Sequence, residues 1–488
     1  MRRIAAALLG LAAAVACAGH RSAPAPEAEG RAWIPAWELP PPPPRDAPVV
    51  AGGAVQRLDL DNGLRIILLE DHRLPRISLA LHVRRGEASV PPELAGLAAF
   101  TGSLMERGAG ARDAQALAWA VEELGASLAV YSDWDAMGVG ISGLARDRDR
   151  LLELLADVAL RPRFEAAEAE RLRGETLAWL ARAADDPATL AGWWTARALY
   201  PGHRYGEPQG GVPASVARLD ADRARSLHRR FFVPGNAVVS ASGDFDPEEL
   251  LARLGELFGA WSGGDPPPPG PPPPAPAPAA RKVLIVDRPE LEQSRIALAH
   301  DGIERSYPER IEVSLLNSVL GGSGFSSRLT RRVRSEAGLT YGVGSHFDQR
   351  RSPGPFVVST FTRVPETRRV IDLLLAELER IAAEPPDAQE LRDAQTLAAG
   401  HFALGLETSD AVVATLVELD VYDLPEDSID TYRARVRAVT TEDTARVARA
   451  LVHPQRAAIV LVGPADALRP QVQDLGPVEV VDPLAPRP

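Results

Sequence analysis

Apolar and polar residues alternate with period two in short runs along the first half of this chain, predicting strands at 55–60, 64–70 and 77–83. The period then lengthens to 3.6, which predicts a helix over 93–107, and a second helix follows at 113–124. A strand pair comes next, 127–132 with 137–142, and long helices fill the space to a closing strand at 234–243. That strand ends in a Gly turn, after which Asp246 starts a helix. Asp185-Asp186-Pro187 marks a break inside the long helices.

The same order returns further on. Strands are predicted at 282–287 and 294–300, and a helix at 308–320 with Ile311, Leu315 and Val319 on one face. A second helix follows at 326–335, then a strand pair, 341–347 with 355–361, then long helices broken at Glu384-Pro385-Pro386, and a closing strand at 454–463. Pro454, Gly463 and Asp466 each lie 220 residues beyond Pro234, Gly243 and Asp246, and Ile296 lies 219 beyond Ile77. An offset this constant across segments so far apart indicates a tandem duplication. The expected fold is α+β, with two homologous halves, each an antiparallel-rich mixed sheet with helices packed on one face.

Composition sharpens the boundaries. The chain has 488 residues, 45% hydrophobic and 25% charged, which is enough for two to four ordinary domains. A net charge of -12 without a dense Lys/Arg block excludes a nucleic-acid footprint. Residues 18–48 are small, polar and Pro-rich, with Pro40 to Pro44 unbroken, and read as a stiff tether. Residues 265–280 are nearly all Pro and Ala and read as a linker, so the two peptide bodies span 49–264 and 281–488.

Met1-Arg2-Arg3 followed by the apolar run 4–16 is too short to span a bilayer as a permanent helix and reads as a signal peptide over 1–17. Cys17, the lone thiol of the chain, stands at its end and rules out a disulfide. The segment resembles a bacterial lipoprotein box. That resemblance implies lipidation of Cys17 and a membrane-anchored, periplasm-facing protein of the cell envelope, at the outer membrane. An ordinary signal peptide with an incidental Cys is the alternative.

Candidate chemistry is concentrated in residues 320–345, a run rich in Gly and Ser. Gly321 and Gly322 end one helix, Ser326 or Ser327 can cap the next, and Gly338 can terminate it in the left-handed conformation. A phosphate loop is the rival reading, but no Lys follows the last Gly. His300-Asp301 and His346-Phe347-Asp348 read as surface pairs. His72 and His82 fall at a strand end and within a strand, and His203, His228, His401 and His453 show no ligand spacing.

Residues 62–98 and 320–345 resemble the pitrilysin/insulinase-like zinc metallopeptidases. In that family the helix after the first strands reads His-x-x-Glu-His, two imidazoles one turn apart with a Glu between them to activate the metal-bound water. Here the five positions hold Ala99, Phe100, Thr101, Gly102 and Ser103, so the zinc-motif positions Ala99, Gly102 and Ser103 are degenerate. The family's third ligand, a Glu seven residues after a Glu-Arg pair, corresponds to Leu177 when counted from Glu170-Arg171. Glu175 is two residues out of register, on a different helix face. No cofactor is expected on this chain.

The same resemblance implies that Arg334 and Tyr341, seven residues apart, carry the family's Arg/Tyr pair and bind peptide substrate in trans. The expected architecture is half of a clam-shell chamber, completed by a zinc-bearing homologous partner subunit that supplies the metal. On this reading the chain is the non-metal subunit of a heterodimeric peptidase, inactive alone. A catalytically inactive peptide- or protein-binding scaffold of the cell envelope is the alternative, and Ser103 acting as a nucleophile is a third, without an identifiable His-Asp support in the sequence.

Overall fold

The alternating runs form strands, and in a computed structural model describing residues 55–265 and 280–483 they assemble into two six-stranded sheets. The leader 1–17 with Cys17, the tether 18–48 and nearly all of the 265–280 linker lie outside the described residues. The first sheet contains β1 (Val55–Asp59), β2 (Arg65–Glu70), β3 (Arg76–Val83), β6 (Ser127–Ser132), β7 (Met137–Leu144) and β8 (Ala237–Gly243), in the order β1-β2-β8-β3-β7-β6. A short ribbon, β4 (Gly108–Ala109) and β5 (Arg112–Asp113), stands apart. The second sheet contains β9 (Lys282–Asp287), β10 (Gln293–Asp301), β11 (Val343–Phe347), β12 (Pro355–Arg363), β13 (Ala458–Gly463) and β14 (Val478–Val481), in the order β11-β12-β10-β13-β9-β14.

Five strands of each sheet follow the duplication. β2 lies parallel to β8 as β9 does to β13, and the remaining pairs among the five are antiparallel. The sixth strand departs from it. β1 pairs antiparallel with β2 as an N-terminal hairpin, whereas β14 arrives from the far end of the chain and pairs parallel with β9.

One face of each sheet carries its own half's helices, as the pattern of apolar residues requires. Ile66, Leu79, Leu81 and Val139 pack beneath Phe100, Leu104, Leu155 and Leu254 in the first half, and Ile285, Leu298 and Phe356 beneath Leu316, Leu374 and Leu468 in the second. Each half thus keeps its own helices on one face, as expected, and the other half covers the second face. The helix Pro187–Leu199 of the first half lays Leu190 and Ala191 on Val286, Ala297 and Val460 of the second sheet. Reciprocally, the helix Ser409–Val421 lays Val412, Leu416 and Leu419 on Ile67, Leu69 and Val238 of the first. These helices begin and end 222 residues apart, so the duplicated halves exchange equivalent arms and bury one another's second sheet face.

The expected breaks have local causes. Asp186 accepts from Thr189 N at 2.8 Å with Pro187 at the first helical position. Asp387 caps the helix Ala388–Leu404 through Gln389 N at 2.8 Å and Glu390 N at 2.9 Å. Elsewhere the expected boundaries move. The 93–107 helix is a single turn at Pro92–Leu94 followed by an α-helix at Leu97–Met105, because Gly96 takes a φ of +94° and reorients the chain.

The 308–320 helix is regular over Arg310–Asn317 and widens into a π-turn at Ser318–Gly322. The 326–335 helix is a tight turn at Gly324–Ser326 followed by a π-helical stretch at Thr330–Glu336. The strand expected from Tyr341 starts at Val343, and the two closing strands start after short turns at Pro234–Asn236 and Pro454–Arg456. Asp466 lies inside its helix, which starts at Ala465 with its N–H bonded to Asp287 at 2.8 Å.

Candidate functional site

The helix Leu97–Met105 is held at its N-terminus by a carboxylate from outside it. Glu87 is 1% exposed, and its two oxygens accept from Gly96 N at 2.5 Å, Ala98 N at 2.9 Å and Ala99 N at 3.3 Å. These are groups a helix start leaves without partners. Arg204, equally buried, donates to the same carboxylate at 2.5 Å. Burial raises the Glu87 carboxyl above its ordinary range, opposed by the charge and hydrogen bond of Arg204, and burial lowers the Arg204 guanidinium.

The five positions 99–103 follow. Thr101 is buried and its hydroxyl donates back to Leu97 O at 2.7 Å, Gly102 lies against β6, and Ser103 is exposed. Ala99 and Ser103 face a cleft of about 290 Å³, lined from the helix Ala166–Ala183 by Leu172, Glu175, Thr176 and Trp179. That corrects the register argument. Leu172, Glu175, Thr176 and Trp179 follow a 3-4 spacing on one helical stripe, so Glu175 faces the degenerate positions while Leu177 packs against the core. Glu175 is held by Arg107 at 2.7 Å and Arg171 at 2.8 Å, and the hydrogen bond from Arg107 lowers its carboxyl below the usual range.

One carboxylate facing Ala99 and Ser103 does not fit a zinc ion, which requires three protein donors. Among the described residues no group of three or more His, Cys, Asp and Glu is placed to hold a metal ion. No imidazole hydrogen-bonds to Ser103 among the described residues either, so the requirement for an activated serine is unmet.

Arg334 sits on the π-helical stretch at Thr330–Glu336. Ser327 accepts from Thr330 N at 3.4 Å at its start. Gly338, at a φ of +64°, ends it by donating to Arg334 O at 3.1 Å while Leu339 N reaches Val333 O. The basic residues of this stretch differ in their partners. Arg328 and Arg331 pair with Glu390, and Arg332 with Glu336. Arg334 has no carboxylate within ion-pair distance among the described residues; its Cζ lies 4.5 Å from the Phe325 ring centroid and 4.7 Å from that of Tyr341.

The two rings are 75% and 77% exposed. Cation–π contact with the two rings uses none of the guanidinium N–H donors, which stay available to a ligand. The structure thus brings Arg334 and Tyr341 together and adds Phe325, which the sequence reading missed. The available signal was a large aromatic inside a run of Gly and Ser.

Other side chains join the halves. Asp420, from helix 409–421, accepts from Arg84 Nε at 2.7 Å and contacts His82 Nε2 at 3.1 Å on β3. Burial opposes its ionisation, but the hydrogen bonds from His82 and Arg84 outweigh it and hold the carboxyl well below the usual range. His300 is not the surface residue expected. It is 1% exposed, its Nδ1–H donates to the Asp301 carbonyl at 2.6 Å, and its Nε2 accepts from His453 N at 3.2 Å. His346 is exposed.

Comparison with known proteins places these features in a family. The model for Insulinase (Peptidase family M16) matches residues 65–200, and that for the Peptidase M16 inactive domain matches residues 218–397. An uncharacterized zinc protease of Streptomyces coelicolor is 27% identical over 420 residues, covering 84% of this chain and 90% of the relative. One of Mycobacterium tuberculosis is 28% identical over 435 residues, covering 88% and 99%. Among solved structures, a peptidase M16 inactive domain from Pseudomonas fluorescens superposes with a TM-score of 0.79 at 26% identity, covering 84% of this chain and 98% of that one.

Proposed function

This chain is a member of the insulinase family, peptidase family M16, and from that premise we propose that it is the non-metal subunit of a two-chain peptidase. The observation that carries the reading is the contrast between its two sites. The helix at Ala99–Ser103 offers no zinc donor set, while Arg334 lies against two exposed rings without a carboxylate partner among the described residues.

In the complex, a homologous subunit bearing the His-x-x-Glu-His helix supplies the zinc, and this chain closes the chamber over it. Arg334 donates hydrogen bonds from its free edge to a carbonyl of the bound peptide, fixing its register and stabilising negative charge as it develops. Phe325 and Tyr341 hold the guanidinium plane, and the Tyr341 hydroxyl provides a further donor. Lipid on Cys17 and the Pro-rich tether hold the body at the periplasmic face of the outer membrane.

The test is co-purification with a genetically linked homologue carrying the zinc motif, followed by peptide cleavage assays. The complex cleaves and neither chain does so alone. Arg334→Ala lowers kcat/KM at least tenfold without dissociating the complex, and Phe325→Ala lowers it severalfold. Full activity of Arg334→Ala refutes the assigned role. A stable complex that binds peptide without cleaving it supports the scaffold reading instead.

A further inference from the structure

The second face of the first sheet holds a cleft of about 730 Å³ that the proposed function leaves unused. Helix 409–421 lies close over β2 and β8, where Ile67, Leu69 and Val238 meet it, but it leaves space over β7 and β6. The cause is side-chain size in two cross-strand rows. Ser78, Ser142 and Ser127 form one row across β3, β7 and β6, and Ala80, Gly140 and Ala129 form the next. Val413, Ala414 and Val417 of the helix form the roof. In the second half the position equivalent to Gly140 holds Val357, opposite Ala299 as Gly140 is opposite Ala80. The small-residue floor therefore departs from the duplication.

The polar groups of the cleft differ in whether they already have partners. The Tyr131 hydroxyl is buried and has no hydrogen-bond partner; its ring lies over Gly138, where a Cβ would come within 2.5 Å of that oxygen. The two arginines lining the cleft are already neutralised. Arg76 pairs with Asp410 at 3.5 Å, and Arg305 pairs with Glu418 and donates to Gln349 at 2.8 Å. Asp133 is different. It is exposed on the turn between β6 and β7, accepts only from the backbone N–H of Asp135 and Ala136, and has no cationic partner among the described residues.

We propose that this cleft binds a small amphiphile with an apolar body and one amine. The apolar body lies on the Ala80-Gly140-Ala129 row under Val413 and Val417, and the ammonium group pairs with Asp133. The Tyr131 hydroxyl supplies a hydrogen bond near that end. The volume falls in the range of small-molecule sites, about 300–1,000 Å³, and the mixture of apolar walls with a few convergent polar groups is typical of them. The net charge of -12 favours a cationic over an anionic ligand.

Calorimetric titration of the purified chain with decylamine and with decanoate tests the proposal. Decylamine binds with one-to-one stoichiometry, at least tenfold tighter than decanoate. Asp133→Asn brings the two within about twofold of one another. Gly140→Leu removes decylamine binding, since a Cβ at 140 finds its nearest neighbour at 3.9 Å and the side chain projects into the cleft. Ala129→Phe, at an exposed position that tolerates bulk, gives the same loss and stands in should the Gly140 variant fail to fold. No saturable decylamine binding, equal binding of the two headgroups, or undiminished binding in the folded occluding variants overturns it.

Discussion

Replacing Arg204 with Met removes the one cation among the described residues that reaches Glu87 and leaves a buried carboxylate with three backbone donors from Gly96, Ala98 and Ala99. The variant has two ways to accommodate this. Either Glu87 stays charged and uncompensated, which costs about 3–5 kcal/mol, or it takes up a proton. At pH 7, protonating a Glu with an unfolded pKa of about 4.3 costs about 1.36 × 2.7, or about 3.7 kcal/mol, which caps the penalty.

The pH dependence has a fixed sign. A carboxyl whose folded pKa lies above its unfolded value binds more protons in the folded state between the two. Stability is therefore greatest below the unfolded pKa and declines as pH rises through the folded one. Losing Arg204 raises the folded pKa further, so the deficit of the variant grows by about 1.4 kcal/mol per pH unit between the folded pKa of the parent and that of the variant. Hydrogen exchange at the Ala98 and Ala99 amides, read against the parent at the same pH so that intrinsic exchange cancels, is the assay. Faster exchange is expected at pH 7, by at most about 500-fold, with the difference shrinking towards acid until the parent carboxyl is itself protonated. A difference that is flat from pH 5 to 7, or below about 0.5 kcal/mol throughout, refutes the account of how this helix is held.

Asp420→Asn weakens the joint between the halves by about 3–5 kcal/mol at pH 7, read from urea midpoints. Because the Asp420 carboxyl is held below its usual range, its contribution is present above the unfolded value near 3.9 and lost as pH falls through the folded one, so parent and variant converge in acid. His228 and His300, both pushed down to about 4 chiefly by burial, stay neutral in the fold while the unfolded chain takes up a proton near 6.5, so stability falls as pH drops through that window. His300→Gln lowers the proton uptake on unfolding at pH 5 by about one, measured from the pH slope of the unfolding free energy. Ala99→His with Ser103→His sets two imidazoles one turn apart facing Glu175, and the pair binds one equivalent of zinc; retention of that zinc after adding Glu175→Gln shows that Glu175 does not reach the cleft as described.

Much of the fold was legible because strand alternation and helix caps act over a few residues. β6 begins and ends where the alternation does, Asp186 and Asp387 start helices and Gly338 ends one, each through bonds to near neighbours. The misplaced boundaries have longer-range or conformational causes. Gly96 takes its left-handed turn where the helix meets a carboxylate nine residues back, and the segments near 320 and 334 widen into π-turns that a 3.6 period does not anticipate. His300 was misjudged because its neighbour Asp301 is adjacent in sequence, while its burial comes from Phe356 and His453, brought in by other strands and turns.

By itself the sequence determined the duplication, a matter of residue identity and spacing, and its resemblance to the insulinase family pointed to the degenerate positions Ala99, Gly102 and Ser103 and to Arg334 with Tyr341. Only the tertiary structure decided that the halves exchange helices, that Glu175 rather than Leu177 faces the degenerate positions, that Phe325 completes the stack on Arg334, and that small residues on three strands open a cleft beneath helix 409–421. The physical reason is the same in each case. Those features depend on which surfaces meet across large separations in the chain, and contact between distant surfaces is set by packing rather than by any local period.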